Sequence, residues 1–151
     1  MLFRRVSRSD PEKIFVVVKN SYSTASLANG YVVEWDATTD ADGVGVTKPS
    51  AAGMTTGLGA SVAGVATETI AHEAYGLVQV YGYHSAVRVR AATSADAIVA
   101  HSGLRPPLAG GVWCAEGHDP DGTLNYQKMG FALAGWTSWT STTMAAFIKA
   151  L

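Results

Sequence analysis

The side chains of this sequence best suited to metal binding or nucleophilic catalysis are four histidines in separate segments and one cysteine. They are His72, His84, His101, His118 and Cys114. No two histidines have the H-x-x-x-H spacing of a zinc site, and one cysteine supplies no cysteine pair. His118 beside Asp119 would be the first candidate ligand, but the spacing predicts no metal site. Cys114 and His118 lie in a predicted strand and turn, where they would not converge as a nucleophile and base.

The carboxylates and glycines do not form a recognisable catalytic or phosphate-binding pattern either. Glu68 and Glu73 could act as an acid and a base, yet such a pair around one turn commonly solvates the end of a strand. Asp40, Asp42 and Gly43 resemble the start of a calcium loop that lacks its distal glutamate. Neither a G-x-x-x-x-G-K-[ST] loop nor a G-x-S-x-G turn occurs. We therefore expect neither enzymatic activity nor a bound cofactor.

Aromatic residues leave two binding roles open. The tryptophans are Trp35, Trp113, Trp136 and Trp139. They could form a platform on which sugars stack, or they could pack inside the protein and between subunits, where each ring buries a large area. We expect the second role near the C-terminal end. The candidate residues for packing against another subunit or a partner are Trp136, Trp139, Phe147 and Ile148.

The composition indicates one domain with a weakly charged surface. Of 151 residues, 48% are hydrophobic and only 15% are charged, against roughly 25% in typical soluble domains. Such a surface favours an oligomer or a larger assembly that covers part of it. The formal net charge of −1 gives no general attraction to nucleic acid. No apolar run is long enough to span a membrane, so we expect the protein to be made in the cytoplasm.

Three arginines form the only basic cluster of the sequence. They are Arg4, Arg5 and Arg8, and they lie in a segment, residues 1–13, that precedes the first predicted core strand. Two interpretations remain open: a solvated chain end, or an N-terminal arm that contacts a partner. A second domain is not indicated, because residues 14–151 read as one unit.

The centre of that unit is the stretch Val62–Ala92, in which apolar and polar residues alternate with the period of a half-buried strand. We expect four of its valines to face the interior: Val78, Val80, Val87 and Val89. We also expect Gly64, Gly76 and Gly82 to mark turns between strands.

Further strands are predicted on both sides of this centre. Ile14–Val18 and Tyr31–Trp35 are rich in β-branched and aromatic residues, and a turn at Asn29–Gly30 precedes the second. Residues 36–60 read as a long polar loop with one short strand, and Val112–Ala115 as another strand. The fold class is therefore mainly β, a single-domain barrel.

The C-terminal residues change to a helical period. Met144, Phe147, Ile148 and Leu151 are spaced at i, i+3, i+4 and i+7, and Ser141 or Thr142 could cap the first turn. This spacing predicts a short helix over residues 141–151.

Several segments together resemble the small β-rich structural proteins of tailed bacteriophages, and among these the capsid decoration, or cement, proteins. The segments are Val16–Asn20, Leu27–Asp36, Gly64–Ala66 and Gly76–Gly82, with an echo of the third at Gly130–Ala132.

The resemblance covers most of residues 14–133 and implies a β-barrel or β-tulip-like domain. It implies a homotrimer on the outside of the virion capsid that clamps neighbouring subunits of the major capsid protein, without direct contact to nucleic acid or membrane. The arginine-rich start, with Arg4, Arg5 and Arg8, is the expected capsid-binding segment. That start and the tryptophan-bearing end depart from the family pattern.

Two other functions stay open at this point. A glycan- or receptor-binding module of a phage fibre or tail would use exposed tryptophans such as Trp136 or Trp139. A small barrel hydrolase would need a pocket that brings together Glu68, Glu73 or His118.

Overall fold

The computed structural model describes residues 2–5, 12–40, 43–49, 61–91, 97–106, 115–116, 129–138 and 140–150. Within these ranges the chain forms strands, turns and isolated bridges, and no helix, which confirms the mainly β fold class. The strands are β1 Leu2–Arg5, β2 Lys13–Asn20, β3 Val32–Trp35, β4 Gly45–Thr47, β5 Val62–Ala66, β6 Tyr75–Arg90, β7 Gly103–Leu104, β8 Ala115–Glu116, β9 Gly130–Ala132 and β10 Thr142–Lys149.

Five strands close on themselves as a barrel. The pairings run β2–β4–β3–β5–β6 and return to β2, and only β2–β4 is parallel. Val78 of β6 shows the closure, since it is aligned with both Val16 of β2 and Ala66 of β5. A closed ring leaves these strands few free edges. The short strand expected within residues 36–60 is β4, and residues 41–42 and 50–60 lie outside the described part.

Small aliphatic side chains fill the barrel. We call this group the barrel core, and its members are Val18, Leu27, Val33, Val46, Ala63, Ala66, Ile70, Val78 and Val80. Val78 and Val80 are 0% and 3% exposed, which confirms their expected interior position. Asn20 is also buried, and its amide nitrogen donates to the carbonyls of Ala25 and Ile70, at 2.9 Å each. A buried amide that is hydrogen-bonded in this way holds the loops at the barrel end together.

A second layer packs on the outside of β3 and β5. It is built by β10, which pairs with the C-terminal half of β6, and by β9 and β7 beyond it. β3 and β5 are buried on both faces, since Val33 and Ala63 belong to the barrel core whereas Val32 and Val65 face the second layer. The second-layer core comprises Val32, Val62, Val65, Val87, Val89, Ile98, Leu104, Met129, Ala132, Met144, Ala146 and Ile148.

The strand β6 is continuous over 16 residues and Gly64 lies within β5, so the prediction of turns at Gly64, Gly76 and Gly82 is wrong. A bulge explains why its buried valines change from even to odd positions. Met144 of β10 is aligned with Val87 of β6, and Ala146 is aligned with His84. A step of two residues along β10 therefore corresponds to a step of three residues along β6. An extra residue of this kind moves all later side chains to the opposite face. Val87 and Val89 are consequently buried, as predicted, but in the second-layer core and not in the barrel core.

The glycine at position 82 allows a close backbone approach within the strand. Gly82 has φ +100°, and a Cβ atom there would lie 2.1 Å from the carbonyl oxygen of Glu12. A side chain would therefore separate β6 from the residue that precedes β2.

The C-terminal segment is a strand, so the prediction of a helix over 141–151 is wrong. Burial alternates along β10, with Met144, Ala146 and Ile148 inside and Phe147 on the other face. Met144, Phe147 and Ile148 have the spacing of one helix face, whereas in the strand Met144 and Ile148 share a face and Phe147 lies on the opposite one. Pairing with β6 along seven aligned positions decides for the strand, because tertiary contacts override weak local preference.

The N-terminal arm begins as an edge strand. β1 pairs antiparallel with β2, and Arg4 and Arg5 are aligned with Ile14 and Lys13. Arg8 lies outside the described residues. Of the strand expected at Val112–Ala115, only Ala115 is in the described part, as the first residue of β8.

Candidate interaction surface

The outer face of the second layer carries a group of four aromatic side chains. Alternation along β6, β9 and β10 turns one set of residues towards the core and leaves the other set facing outwards. We call the outward set the aromatic row, which consists of Tyr81, Tyr83, Phe131 and Phe147. All four side chains are partly exposed.

Strand register brings the row together. Phe147 is aligned with Tyr83 on one side and with Phe131 on the other. The rings of Phe131 and Phe147 are stacked, with centroids 5.2 Å apart and planes 11° from parallel. Tyr81 meets Phe147 edge-on, with centroids 5.1 Å apart and planes at 85°. Both are favourable geometries worth about 0.5–1.5 kcal/mol beyond burial. These contacts hold the rings of Tyr81, Phe131 and Phe147 next to one another.

Charge and further apolar surface lie at the rim of the row. The Lys13 ammonium is 5.5 Å from the centroid of the Tyr83 ring, a cation–π contact from β2. Leu133, two residues after Phe131, is 37% exposed. An aromatic patch with polar residues at its edge is typical of surfaces that bind other proteins.

The predicted packing residues occupy different places relative to this surface. Phe147 lies in the aromatic row. Its neighbour Ile148 is 0% exposed and belongs to the second-layer core, so Ile148 cannot contact a partner at the surface. Trp136 is partly buried against the same core, and its indole nitrogen donates to the carbonyl of Thr140 at 3.0 Å. Trp139 lies outside the described residues.

The predicted basic segment, with Arg4 and Arg5 in β1, belongs to the same sheet as the aromatic row. β1 is separated from β6 only by β2, and Arg5 is aligned with Lys13, the residue that contacts Tyr83. The structure thus places the start of the chain and the aromatic row on one continuous sheet.

A polar cleft lies at the other end of the barrel. Its volume is about 530 Å³, and its lining residues are Lys19, Ser21, Thr39, Asp40, Val44, Glu73 and Tyr75. Lys19 forms an ion pair with Glu73, and this hydrogen bond raises the pKa of Lys19 and lowers the pKa of Glu73. Both groups are therefore charged near neutral pH.

A carboxylate beneath the cleft orients two hydroxyl groups. Burial of Asp36 opposes its ionisation, but hydrogen bonds from Ser21 and Thr39 outweigh that effect and lower the pKa of Asp36. The Ser21 hydroxyl donates to Asp36 Oδ2 at 2.6 Å, and Thr39 donates through its hydroxyl and its backbone amide.

The residues weighed for catalysis and metal binding do not converge in the described ranges. Glu68 accepts a hydrogen bond from the Leu77 amide at 3.1 Å, while Glu73 is paired with Lys19. Among described residues, no group of three or more His, Cys, Asp or Glu side chains could hold a metal ion. Cys114, His118 and Asp119 lie outside these ranges. No described helix has the length and apolar character to cross a membrane.

Sequence reasoning missed Tyr81, Tyr83 and Phe131 as surface residues. The signal was present as the alternation Tyr81-x-Tyr83 within a predicted strand. It could be recognised as a patch only after the strand register aligned Tyr83 with Phe147 and Phe147 with Phe131.

Comparisons with known proteins identify a relative in fold. No protein-family model matches the sequence. A search of curated proteins also finds no match. Among solved structures, the chain is similar to the N base of the head fiber protein gp8.5 of bacteriophage phi29, with a TM-score of 0.50 and 12% sequence identity. The likeness covers 91% of this chain and 95% of the other, so the two share a fold over nearly their whole lengths.

Proposed function

We propose that this chain is a bacteriophage virion structural protein. It binds the outside of the capsid as an oligomer, a homotrimer, and stabilises the shell by clamping neighbouring subunits of the major capsid protein. The observation that carries the proposal is the fold shared with a phage head fiber base over 91% of the chain. Neither catalysis, nucleic acid nor a membrane enters the proposal.

The aromatic row is the surface that would make the attachment. It combines apolar area with the ring contacts among Tyr81, Phe131 and Phe147, which reduce the side-chain entropy lost when a partner covers it. Tyr83 and Phe147 lie at its centre, in register on adjacent strands, and Lys13 adds a positive charge at the edge. The basic strand β1 lies two strands away from β6 and would extend the contact.

Oligomerisation would make such a contact effective. A closed ring of three copies presents three identical surfaces to a repeated capsid lattice, and parallel weak contacts then act with a high effective concentration. A protein that binds only the assembled shell also stabilises that shell by mass action. The low charged fraction of 15% agrees with a surface that is partly covered in the assembly.

The test is binding of the purified chain to capsids that lack it. We expect sedimentation of the chain with such capsids and an increase in the temperature at which they release their contents. Light scattering of the free protein should give the mass of three copies. Absence of binding, or an unchanged release temperature at saturation, would overturn the proposal.

A matched pair of variants locates the attachment. Tyr83→Ala removes a ring from the row, whereas Tyr75→Ala removes an exposed ring from the same strand at the polar cleft. We expect Tyr83→Ala to weaken capsid binding at least about tenfold, equivalent to one buried aromatic contact, and Tyr75→Ala to leave it unchanged. Equal effects of the two variants would contradict the assignment of the row.

A further inference from the structure

The polar cleft has features that capsid attachment does not use. It lies where β2 ends, between the turn at residues 37–40 and the start of β6. Tyr75 at the cleft and Tyr83 in the aromatic row are eight residues apart along β6, or about 26 Å at 3.3 Å per residue. The cleft and the row can therefore be occupied independently.

An exposed aromatic ring lines the cleft. Tyr75 is 67% exposed, although it belongs to a strand whose next residue, Gly76, is buried. Val44, which is 45% exposed, lines the same cleft. Two of the four large hydrophobic side chains that are exposed among the described residues thus lie here. Exposed apolar surface beside charged groups indicates a place where a ligand with both apolar and polar faces is bound.

The polar lining is organised before binding. The Lys19–Glu73 ion pair places a donor and an acceptor side by side at the cleft wall, and Glu73 itself has a left-handed backbone, φ +62°. Ser21 and Thr39 are oriented by their hydrogen bonds to Asp36. Donors and acceptors that are already placed lose little entropy when a ligand replaces water.

The charge of the lining selects between ligand classes. Lys19 contributes one positive charge, and Asp40 and Glu73 contribute two negative charges. This excess of negative charge opposes phosphates, sulfates and sialic acids. A neutral ligand with many hydroxyl groups and one apolar face meets both the charged side chains and the Tyr75 ring.

We propose that the polar cleft binds a neutral saccharide. One sugar ring stacks on Tyr75, and its hydroxyl groups hydrogen-bond with Lys19, Asp40 and Glu73. The volume of about 530 Å³ lies within the range of roughly 300–1,000 Å³ found for small-molecule sites and suits one or two sugar rings. This saccharide binding does not depend on the proposed attachment to a capsid.

The experiment applies the full chain to an array of neutral, sialylated and sulfated glycans. We expect binding to a set of neutral hexose or N-acetylhexosamine glycans, and calorimetric titration with the best of these gives the affinity. Binding only to anionic glycans, or to none on the array, would overturn the proposal.

Two variants identify the site. We expect Tyr75→Ala to lower the affinity for the neutral glycan at least about tenfold and Glu73→Gln to lower it severalfold, while Tyr83→Ala binds as the unchanged protein does. Circular dichroism confirms that each variant is folded. A folded Tyr75→Ala protein with full glycan affinity would contradict the site. In the capsid experiment Tyr83→Ala is the test variant and Tyr75→Ala is the control, whereas here the two roles are reversed. Loss of glycan binding can therefore be distinguished from loss of capsid binding.

Discussion

The two halves of β6 pack against different parts of the molecule, although they belong to one strand. The first half, up to Val80, has β2 on one edge and β5 on the other and contributes Val78 and Val80 to the barrel core. The second half pairs with β10, covers the outside of β3 and β5, and holds Tyr81 and Tyr83 on its outer face.

The difference shows how one strand can support both a core and a contact surface. In the first half the inward side chains are small and aliphatic, because a five-strand barrel leaves little internal space. In the second half the outer face of the sheet is partly exposed, so large rings can pack against one another across three strands. Changes at these two places should therefore have effects of different kinds.

The largest effect is expected from a charge placed in the barrel core. Val80 is 3% exposed, and Val80→Asp would bury a carboxylate with no partner, at a cost of several kcal/mol. The total stability of a domain is about 5–15 kcal/mol, so we expect the variant to be largely unfolded by circular dichroism and thermal melting.

The matched control is Tyr83→Asp, three residues along the same strand. Tyr83 is partly exposed and faces Lys13, so the new carboxylate would remain hydrated and close to a positive charge. We expect this variant to fold with a loss of about 1 kcal/mol. A cooperative melt for Val80→Asp at the temperature of the unchanged protein would disprove the assignment of the barrel core.

A smaller effect is expected at the junction of the two halves. Gly82→Ala would place a methyl group against the Glu12 carbonyl at an unfavourable φ of +100°. Gly43 has a similar φ of +87° but no atom within 4 Å of a built Cβ. We expect Gly43→Ala to cost about 1 kcal/mol through its backbone alone and Gly82→Ala about 3 kcal/mol.

Chemical denaturation gives the free energy of unfolding of both variants. The difference between their losses is the energetic cost of separating β6 from the residue before β2. Equal losses for Gly82→Ala and Gly43→Ala would show that the two backbones can separate without cost.

The sequence was sufficient to predict the strands whose hydrophobic pattern agrees with the pairing in the folded structure. The alternation around Val78, Val80, Val87 and Val89 has the period of a strand, and those four valines are buried. The triplet Gly64–Val65–Ala66 and its echo at Gly130–Phe131–Ala132 both form strands, β5 and β9. In these cases local pattern and tertiary pairing agree.

Prediction failed where tertiary pairing overrides the local pattern or where function depends on register. Met144, Phe147 and Ile148 have a helical spacing, but pairing with the edge of β6 makes the segment a strand, in which Phe147 faces away from the other two. The aromatic row joins Tyr83 to Phe147 across 64 positions of sequence. The polar cleft likewise draws residues from separate segments, so no local motif could indicate it.

The smallest expected effect is a pH dependence at His84, a buried residue of the second half of β6. Its side chain is 7% exposed, Nδ1 accepts a hydrogen bond from the Ala86 amide at 3.1 Å, and the ring also bonds to the Ala66 backbone. Burial, opposed in part by the Ala66 bond and assisted by the charge of Lys13, lowers the pKa of His84 below its ordinary value of 6.5.

The unfolded chain therefore binds a proton at His84 more readily than the folded chain does. The free energy of unfolding should be highest above pH 6.5 and should fall as the pH drops below that value through the folded-state pKa. Each pKa unit of lowering is worth about 1.4 kcal/mol at the acid limit. Chemical denaturation at several pH values between 7.5 and about 5.5 measures how the free energy of unfolding changes with pH. The glutamine in His84→Gln cannot titrate, so we expect this variant to lack the contribution of His84 to that change. A slope that is the same in His84→Gln and in the unchanged protein would mean that the junction between the barrel and the second layer does not sense pH through this ring.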